Sequence, residues 1–210
     1  MAPDGMKNKL IVRDGHADTA AVAEFERSRR DLVRRGIALA GTVVAAGAIP
    51  QLLRVRNAFA QADSDAAVLE AAVTLEQQAV LAYTAAADSG KLGRSEAIVR
   101  LLARQEQEHA DGLAKSLGEL GASAPAKPAA PKDVPGLAEA TRGDSRDILR
   151  FAVELETMAV AAYYDAHGKL TAPELLSTSG SIMANEAQHL VVLRQALGRN
   201  PSPRAFVTGA

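Results

Sequence analysis

Leu75-Glu76-Gln77-Gln78-Ala79-Val80-Leu81-Ala82-Tyr83 is followed, thirty residues after its Glu, by Glu106-Gln107-Glu108-His109. The pattern returns as Leu155-Glu156-Thr157-Met158-Ala159-Val160-Ala161-Ala162-Tyr163, with Glu186-Ala187-Gln188-His189 at the same distance. Glu76 and Glu156, Tyr83 and Tyr163, Glu106 and Glu186, and His109 and His189 are all 80 residues apart. Leu113, Leu117 and Gly118 likewise answer to Leu193, Leu197 and Gly198. A single offset for every match marks an internal duplication.

A helix advances about 100° per residue, so Glu106 and His109 are neighbours on one face, as are Glu186 and His189. Tyr83 and Tyr163 stand seven residues beyond their Glu, nearly in line with it and about 10 Å along the axis. Ala72, Val73, Ala79 and Val80 share the side of Glu76, and Ala152, Val153, Ala159 and Val160 that of Glu156, so this face points inward. The midpoint of each Glu pair falls at a turn, in Gly90-Lys91-Leu92-Gly93 and at Thr171. In antiparallel hairpins such arms bring the carboxylates to one height, about 22 Å from the turn. Two hairpins packed face to face then gather four carboxylates and two imidazoles at one level.

Four Glu in an apolar stripe are a conflict. Each buried unpaired charge costs several kcal/mol or is neutralised by a proton. Two divalent cations balance four carboxylates, with neutral His completing the shells. Carboxylate oxygen with a minority of imidazole suits iron or manganese, whereas zinc more often takes Cys or a His-rich set.

The rest of the 210 residues places this unit. Apolar residues make up 48%, chiefly Ala, Leu and Val, with few aromatics, which suits closely packed helices. Residues 1–60 hold 10 of the 24 Lys and Arg but 6 of the 25 Asp and Glu, so the remainder is acidic and has no basic footprint for nucleic acid. The absence of cysteine excludes disulfides and thiolate metal sites, and fits an oxidising compartment. Residues 1–27 are polar, unpatterned and expected to be disordered. Ser28-Arg29-Arg30-Asp31-Leu32-Val33-Arg34 then precedes a weakly hydrophobic run, Ile37 to Ile49, and Ala58-Phe59-Ala60 is a small-x-small cleavage signal. The arginine pair resembles the twin-arginine translocation motif. This reading gives an exported protein, periplasmic or extracellular, with a mature N-terminus near Gln61 or Asp63 and membrane contact only through the signal segment. The alternative is an uncleaved N-terminal membrane anchor.

Helices are expected from Ser64 to about Asp88 and from a Ser95 cap to about Leu120, with Gly121 as the stop. Residues 122–143, with Pro125, Pro128, Pro131 and Pro135, form an extended linker. A third helix starts from an Asp144 or Ser145 cap and ends near His167-Gly168. Thr171-x-x-Glu174 is a capping box opening the fourth, which runs to Leu197-Gly198 with an interruption expected around Ser179-Gly180. The domain reading is 1–62 lead and signal, 63–198 bundle with repeats 63–121 and 144–198, and a tail at 199–210.

The set Glu76, Glu106-x-x-His109, Glu156 and Glu186-x-x-His189 resembles the ligands of the ferritin-like di-metal carboxylate proteins, which include ferritins, bacterioferritins, rubrerythrins and manganese catalases. The resemblance covers about residues 64–198 and implies an all-α, antiparallel four-helix bundle with a long crossover between helices two and three. It implies two divalent ions, Fe or Mn, with Glu76 and Glu156 as terminal ligands, Glu106 and Glu186 bridging, and one nitrogen each from His109 and His189. Tyr83 and Tyr163 match tyrosines that hydrogen-bond a ligand carboxylate. The extra carboxylate of rubrerythrins is missing, since Ala159 and Val160 follow Glu156, and there is no rubredoxin-like Cys segment. The implied partner is a small oxidant, dioxygen or peroxide, in iron/oxygen or peroxide redox chemistry of a ferroxidase or catalase-like kind. A non-catalytic metal-binding or stress-protection bundle is the alternative, and the oligomeric state, homo-oligomer included, is left open. Glu108, Glu154 and Gln188 are expected to face solvent, His167 to act as a cation at a helix end, Met158 to pack in the core, and Tyr164 to lie in a helix-helix seam.

Overall fold

A computed structural model describes residues 12–13, 16–17, 57–59 and 61–209. It divides into two compact units, the second running to Gly209 and holding every helix described below. In the first, β1 (Val12–Arg13) pairs antiparallel with β2 (His16–Ala17), a pairing inside the lead that the sequence reading left without structure. The arginine pair, the Ile37 to Ile49 run and Ala60 lie outside the described residues. No described helix is long and apolar enough to cross a membrane.

The second unit is all-α. Helix α1 (Asp65–Asp88) is capped by Ser64, whose hydroxyl accepts from the Ala67 amide at 3.3 Å. A left-handed Gly90 (φ 69°) turns the chain into α2 (Glu96–Glu119). Ser95 makes no side-chain cap, because the chain already turns helically through Gly93–Ser95. The helix ends at Gly121 (φ 79°), with the Ala122 amide returning to the Leu117 carbonyl at 3.1 Å.

The linker is not wholly extended. Beyond Pro131–Asp133, a single 3-10 turn, lies a short helix, α3 (Leu137–Arg142). The prolines forbid helix only as far as Pro135. After Gly136, Leu137 and Ala140 are spaced to bury one face, and Val134 joins them in the core. The Lys91 ammonium, in the α1–α2 turn, donates to the carbonyls of Thr141, Arg142 and Gly143 at 2.8, 2.9 and 3.0 Å, a cation at the C-terminal end of α3.

Asp144 caps α4 (Ser145–Ala166) by accepting from the Arg146 and Asp147 amides, and Asp147 reaches back to the Asp144 amide. At the far end His167 hydrogen-bonds the Tyr163 carbonyl through Nδ1 at 2.7 Å, as fits a residue at a helix terminus. Helix α5 (Pro173–Ala196) opens differently from the expected capping box. Its cap is Ala172 with Pro173 in the first turn, and Thr171 instead ties the loop to α1 by donating its amide and hydroxyl to Asp65 at 2.9 and 3.0 Å. Nor is α5 interrupted at Ser179-Gly180, because Leu175, Ser179 and Ile182 carry one buried face across that point.

Hairpins α1–α2 and α4–α5 pack with α1 against α4 and α2 against α5. The core forms two apolar clusters. One joins the later part of α1 and the start of α4 with Val134 and Leu137; the other joins the early part of α1 and the end of α4 with Phe59. The crossover thus runs from one end of the bundle to the other, as the four-helix reading requires.

Since Leu137 is fully buried, Leu137→Ala is expected to destabilise the bundle by about 2–5 kcal/mol. The same change at exposed Lys132 should stay within about 0.5 kcal/mol. Chemical denaturation followed by circular dichroism compares them, and equal small effects would show that α3 is not part of the core.

Candidate metal centre

The layer between the two clusters is polar. Glu76 of α1, Glu106 of α2, Glu156 of α4, and Glu186 and His189 of α5 are buried there, Glu186 completely, and His109 of α2 joins them partly buried, its side chain keeping 12% of its exposure. Two groups form, Glu76, Glu106, His109 and Glu186, and Glu106, Glu156, Glu186 and His189. In each, one donor atom per residue lies within 4.8 Å of all the others. Ligands on opposite sides of an ion, each about 2.0–2.4 Å from it, are separated by about that much. Glu106 and Glu186 belong to both groups, while Glu76 and Glu156 belong to one each. The structure therefore brings together all six residues singled out in the sequence.

His109 Nδ1 lies 3.1 Å from Glu186, 3.4 Å from Glu106 and 3.6 Å from Glu76. His189 Nδ1 lies 3.0 Å from Glu106, 3.1 Å from Glu186 and 3.3 Å from Glu156. The two rings stack with centroids 6.1 Å apart. Yet Oε1 of Glu106 and both carboxylate oxygens of Glu186 are buried without a hydrogen-bond partner. These oxygens and the two imidazole Nδ1 atoms, 3.0–3.1 Å apart, converge on common points where either a proton on the imidazole or a cation can stand between them. A cation satisfies such a set, so the residues fit divalent metal and the cluster can hold metal ions.

The tyrosines cross between the repeats. The Tyr83 hydroxyl donates to Glu156 and that of Tyr163 to Glu76, so each repeat orients the unshared carboxylate of the other. Burial and the adjacent carboxylates hold both phenols well above their ordinary value, which keeps them protonated as donors.

Without metal the layer retains protons. Burial, then the neighbouring Glu106, raises Glu76 to about 8, and burial with Glu186 raises Glu156 well above the carboxylate range. Burial works against protonation of His109 and His189, but hydrogen bonds to three carboxylates each outweigh it and push both up to about 12.

One partner was not legible in the sequence. His189 Nε2 donates to the side-chain oxygen of Gln105 at 3.0 Å, which leaves Nδ1 free to face the carboxylates. Gln105 belongs to the other repeat, one residue before Glu106, and in the linear pattern it looked like any helical polar residue. Its equivalent at the offset of 80 is Asn185, one methylene shorter, which makes no hydrogen bond to His109 among the described residues. The two halves are therefore supported unequally. Glu108, Glu154 and Gln188 are exposed and Met158 packs against the core, as expected, but Tyr164 is 37% exposed rather than enclosed in a seam.

Gln105→Leu is expected to weaken metal binding in the His189 half by about tenfold, with Gln105→Glu retaining it, as read by Mn(II) titration. Unchanged binding by the Leu variant would remove Gln105 from the centre. The pH dependence follows from the shifts. Raised imidazole values contribute stability that is full below about 6.5 and lost as pH rises toward 12. The raised Glu76 favours the protonated bundle in the same sense, with the loss running from about 4.5 to about 8. Metal competes with these protons. Between about pH 5 and 8 the melting temperature of chelator-treated protein should therefore fall while the increment on adding Mn(II) grows, and an increment independent of pH would contradict proton displacement.

No curated protein and no solved structure matches this chain. The model of the ferritin-like domain family does match, over residues 64–199, which is the bundle with its two helical hairpins and every residue of the cluster. The chain belongs to the ferritin-like domain family.

Proposed function

We propose that this is an exported protein that holds two divalent ions, iron or manganese, and uses them in redox chemistry with dioxygen or peroxide. The observation that carries the reading is the pair of donor groups sharing Glu106 and Glu186, whose buried carboxylate oxygens include three that make no directed hydrogen bond. Four carboxylates balance two divalent charges, and the oxygen-rich donors favour iron or manganese over zinc. In this reading Glu76 and His109 complete one site and Glu156 and His189 the other. When bound, a pair of Fe(II) or Mn(II) ions would supply two electrons, one from each, which with two protons convert peroxide to two waters. The residues keep the layer dry, fix the spacing of the two positions and, through Tyr83 and Tyr163, hold the unshared carboxylates by a proton that stays on the phenol. Export rests on the Arg29-Arg30 segment with its hydrophobic run and on the absence of cysteine.

The closure of the layer favours a second reading in specific terms. With Glu76, Glu106, Glu156 and Glu186 all at 1% exposure or less, an ion here stabilises the bundle whether or not an oxidant reaches it. Elemental analysis of protein from its own host is expected to find iron or manganese near two ions per chain. Protein loaded with Fe(II) or Mn(II) should consume dioxygen or peroxide faster than Glu106→Ala, which lacks a shared ligand. Metal at that stoichiometry with no consumption above the Ala variant would leave only the stabilising role.

A further inference from the structure

Each repeat is preceded by a short helical stretch. Residues 57–59 and 61 are helical before α1, and at the offset of 80 they correspond to 137–139 and 141, which lie in α3 before α4. Each stretch contributes a fully buried apolar side chain to a different cluster: Leu137 enters the cluster that contains Tyr83, and Phe59 the cluster that contains Tyr163. The duplicated unit thus begins earlier than the ligand pattern, and its first turn is a plug. The plugging side chain differs between repeats, since the counterparts of Phe59 and Leu137 are Glu139 and Asn57, both exposed.

Phe59 and Tyr163 pack edge to face at 6.2 Å between centroids with 63° between planes, and the Tyr163 hydroxyl donates to Glu76. The same stretch is tied down by its backbone. The Ala62 amide returns to the Phe59 carbonyl at 3.3 Å, Lys169 from the α4–α5 loop donates to the Ala62 carbonyl at 3.0 Å, and Asp65 accepts from Thr171 and Ala172. Phe59 nevertheless lies in Ala58-Phe59-Ala60, where the sequence places a cut that would remove it. A chain beginning at Gln61 would leave a void the size of a phenyl ring beside Tyr163, and the tyrosine that orients Glu76 would lose the wall it rests on.

We infer that Phe59 is a positioning residue for the metal centre, acting on Glu76 through Tyr163, and that the working protein keeps its chain through Phe59 instead of being cut after Ala60. The role at Glu76 rests on the metal-binding reading above; retention of the segment rests on packing alone. Any cut that releases the basic leader then falls before Phe59.

Two measurements test this on the full-length gene product. The intact mass of the folded protein isolated from its host, from whichever fraction holds it, is expected to include Phe59; a chain starting at Gln61 or later overturns the inference. In the full chain, Phe59→Ala is expected to weaken Mn(II) binding at one of two positions by about tenfold, with Phe59→Leu in between. Leu117→Ala, in the same cluster, should lower the melting temperature without changing affinity. If Phe59→Ala and Leu117→Ala give the same Mn(II) titration, Phe59 is packing only and its role at the centre is wrong. A wild-type chain that binds no Mn(II) sinks the metal reading itself, whereas wild-type binding that Phe59→Ala leaves unaltered sinks only the role given to Phe59.

Discussion

Four carboxylates and two imidazoles share one dry layer, and everything else in the bundle is arranged around that conflict. Such groups are stable there only if something neutral results. Protons do it in the metal-free chain, where Glu76 and Glu156 hold theirs far above the usual range and both imidazoles are held charged by the carboxylates they face. Divalent cations could do the same, and would also engage the oxygens of Glu106 and Glu186 that make no directed hydrogen bond. The apolar clusters on either side leave the four carboxylates almost without solvent exposure.

Duplication explains how so small a chain builds the layer. One helical hairpin brings a carboxylate from its first arm and a Glu-x-x-His from its second; a second copy supplies the same set from the opposite side. The crossed hydrogen bonds, Tyr83 to Glu156 and Tyr163 to Glu76, are what a pseudo-two-fold axis through the layer requires. Departures from that symmetry then carry information. Gln105 reaches His189 where Asn185 does not reach His109, and one plug is aromatic where the other is aliphatic. The two donor groups, alike in residue types, are thereby supported unequally; if each holds an ion as proposed, one can differ from the other in affinity or exchange.

The sequence made the six residues of the cluster legible because chemistry and periodicity coincide in them: a buried acid repeated at one offset has few explanations. The long helices were legible from their period, and Asp144 is one of the two caps expected for α4. What escaped was set by tertiary contact. Thr171 has the local pattern of a cap but finds Asp65 across the loop, so the helix starts one residue later on Ala172 and Pro173. Ser179-Gly180 looks like a break when read alone, yet the buried face running through Leu175 and Ile182 holds the helix through it. Pro-rich composition hid α3, since Leu137 and Ala140 begin their pattern only after the last proline. Gln105 could not be found from spacing at all, because its partner is 84 residues away on another helix.

Charge balance also bears on how catalysis and stabilisation relate. If two ions sit in this layer as proposed, the carboxylates that hold them neutralise divalent charge and no more. Oxidation of both would add two positive charges to a dry core, at a cost of several kcal/mol each if left uncompensated. The residues drawn in around the ligands do not offset this, since Gln105 and the two phenols are neutral and serve to orient. A redox cycle here must therefore take compensating anions from the reduced oxidant or let the ions go, and both need a path through the layer. Of the six residues His109 is the least covered, at the α2–α5 contact, and its ring has no amide partner among the described residues. The asymmetry that weakens support for one position thus coincides with the place where the layer is most open.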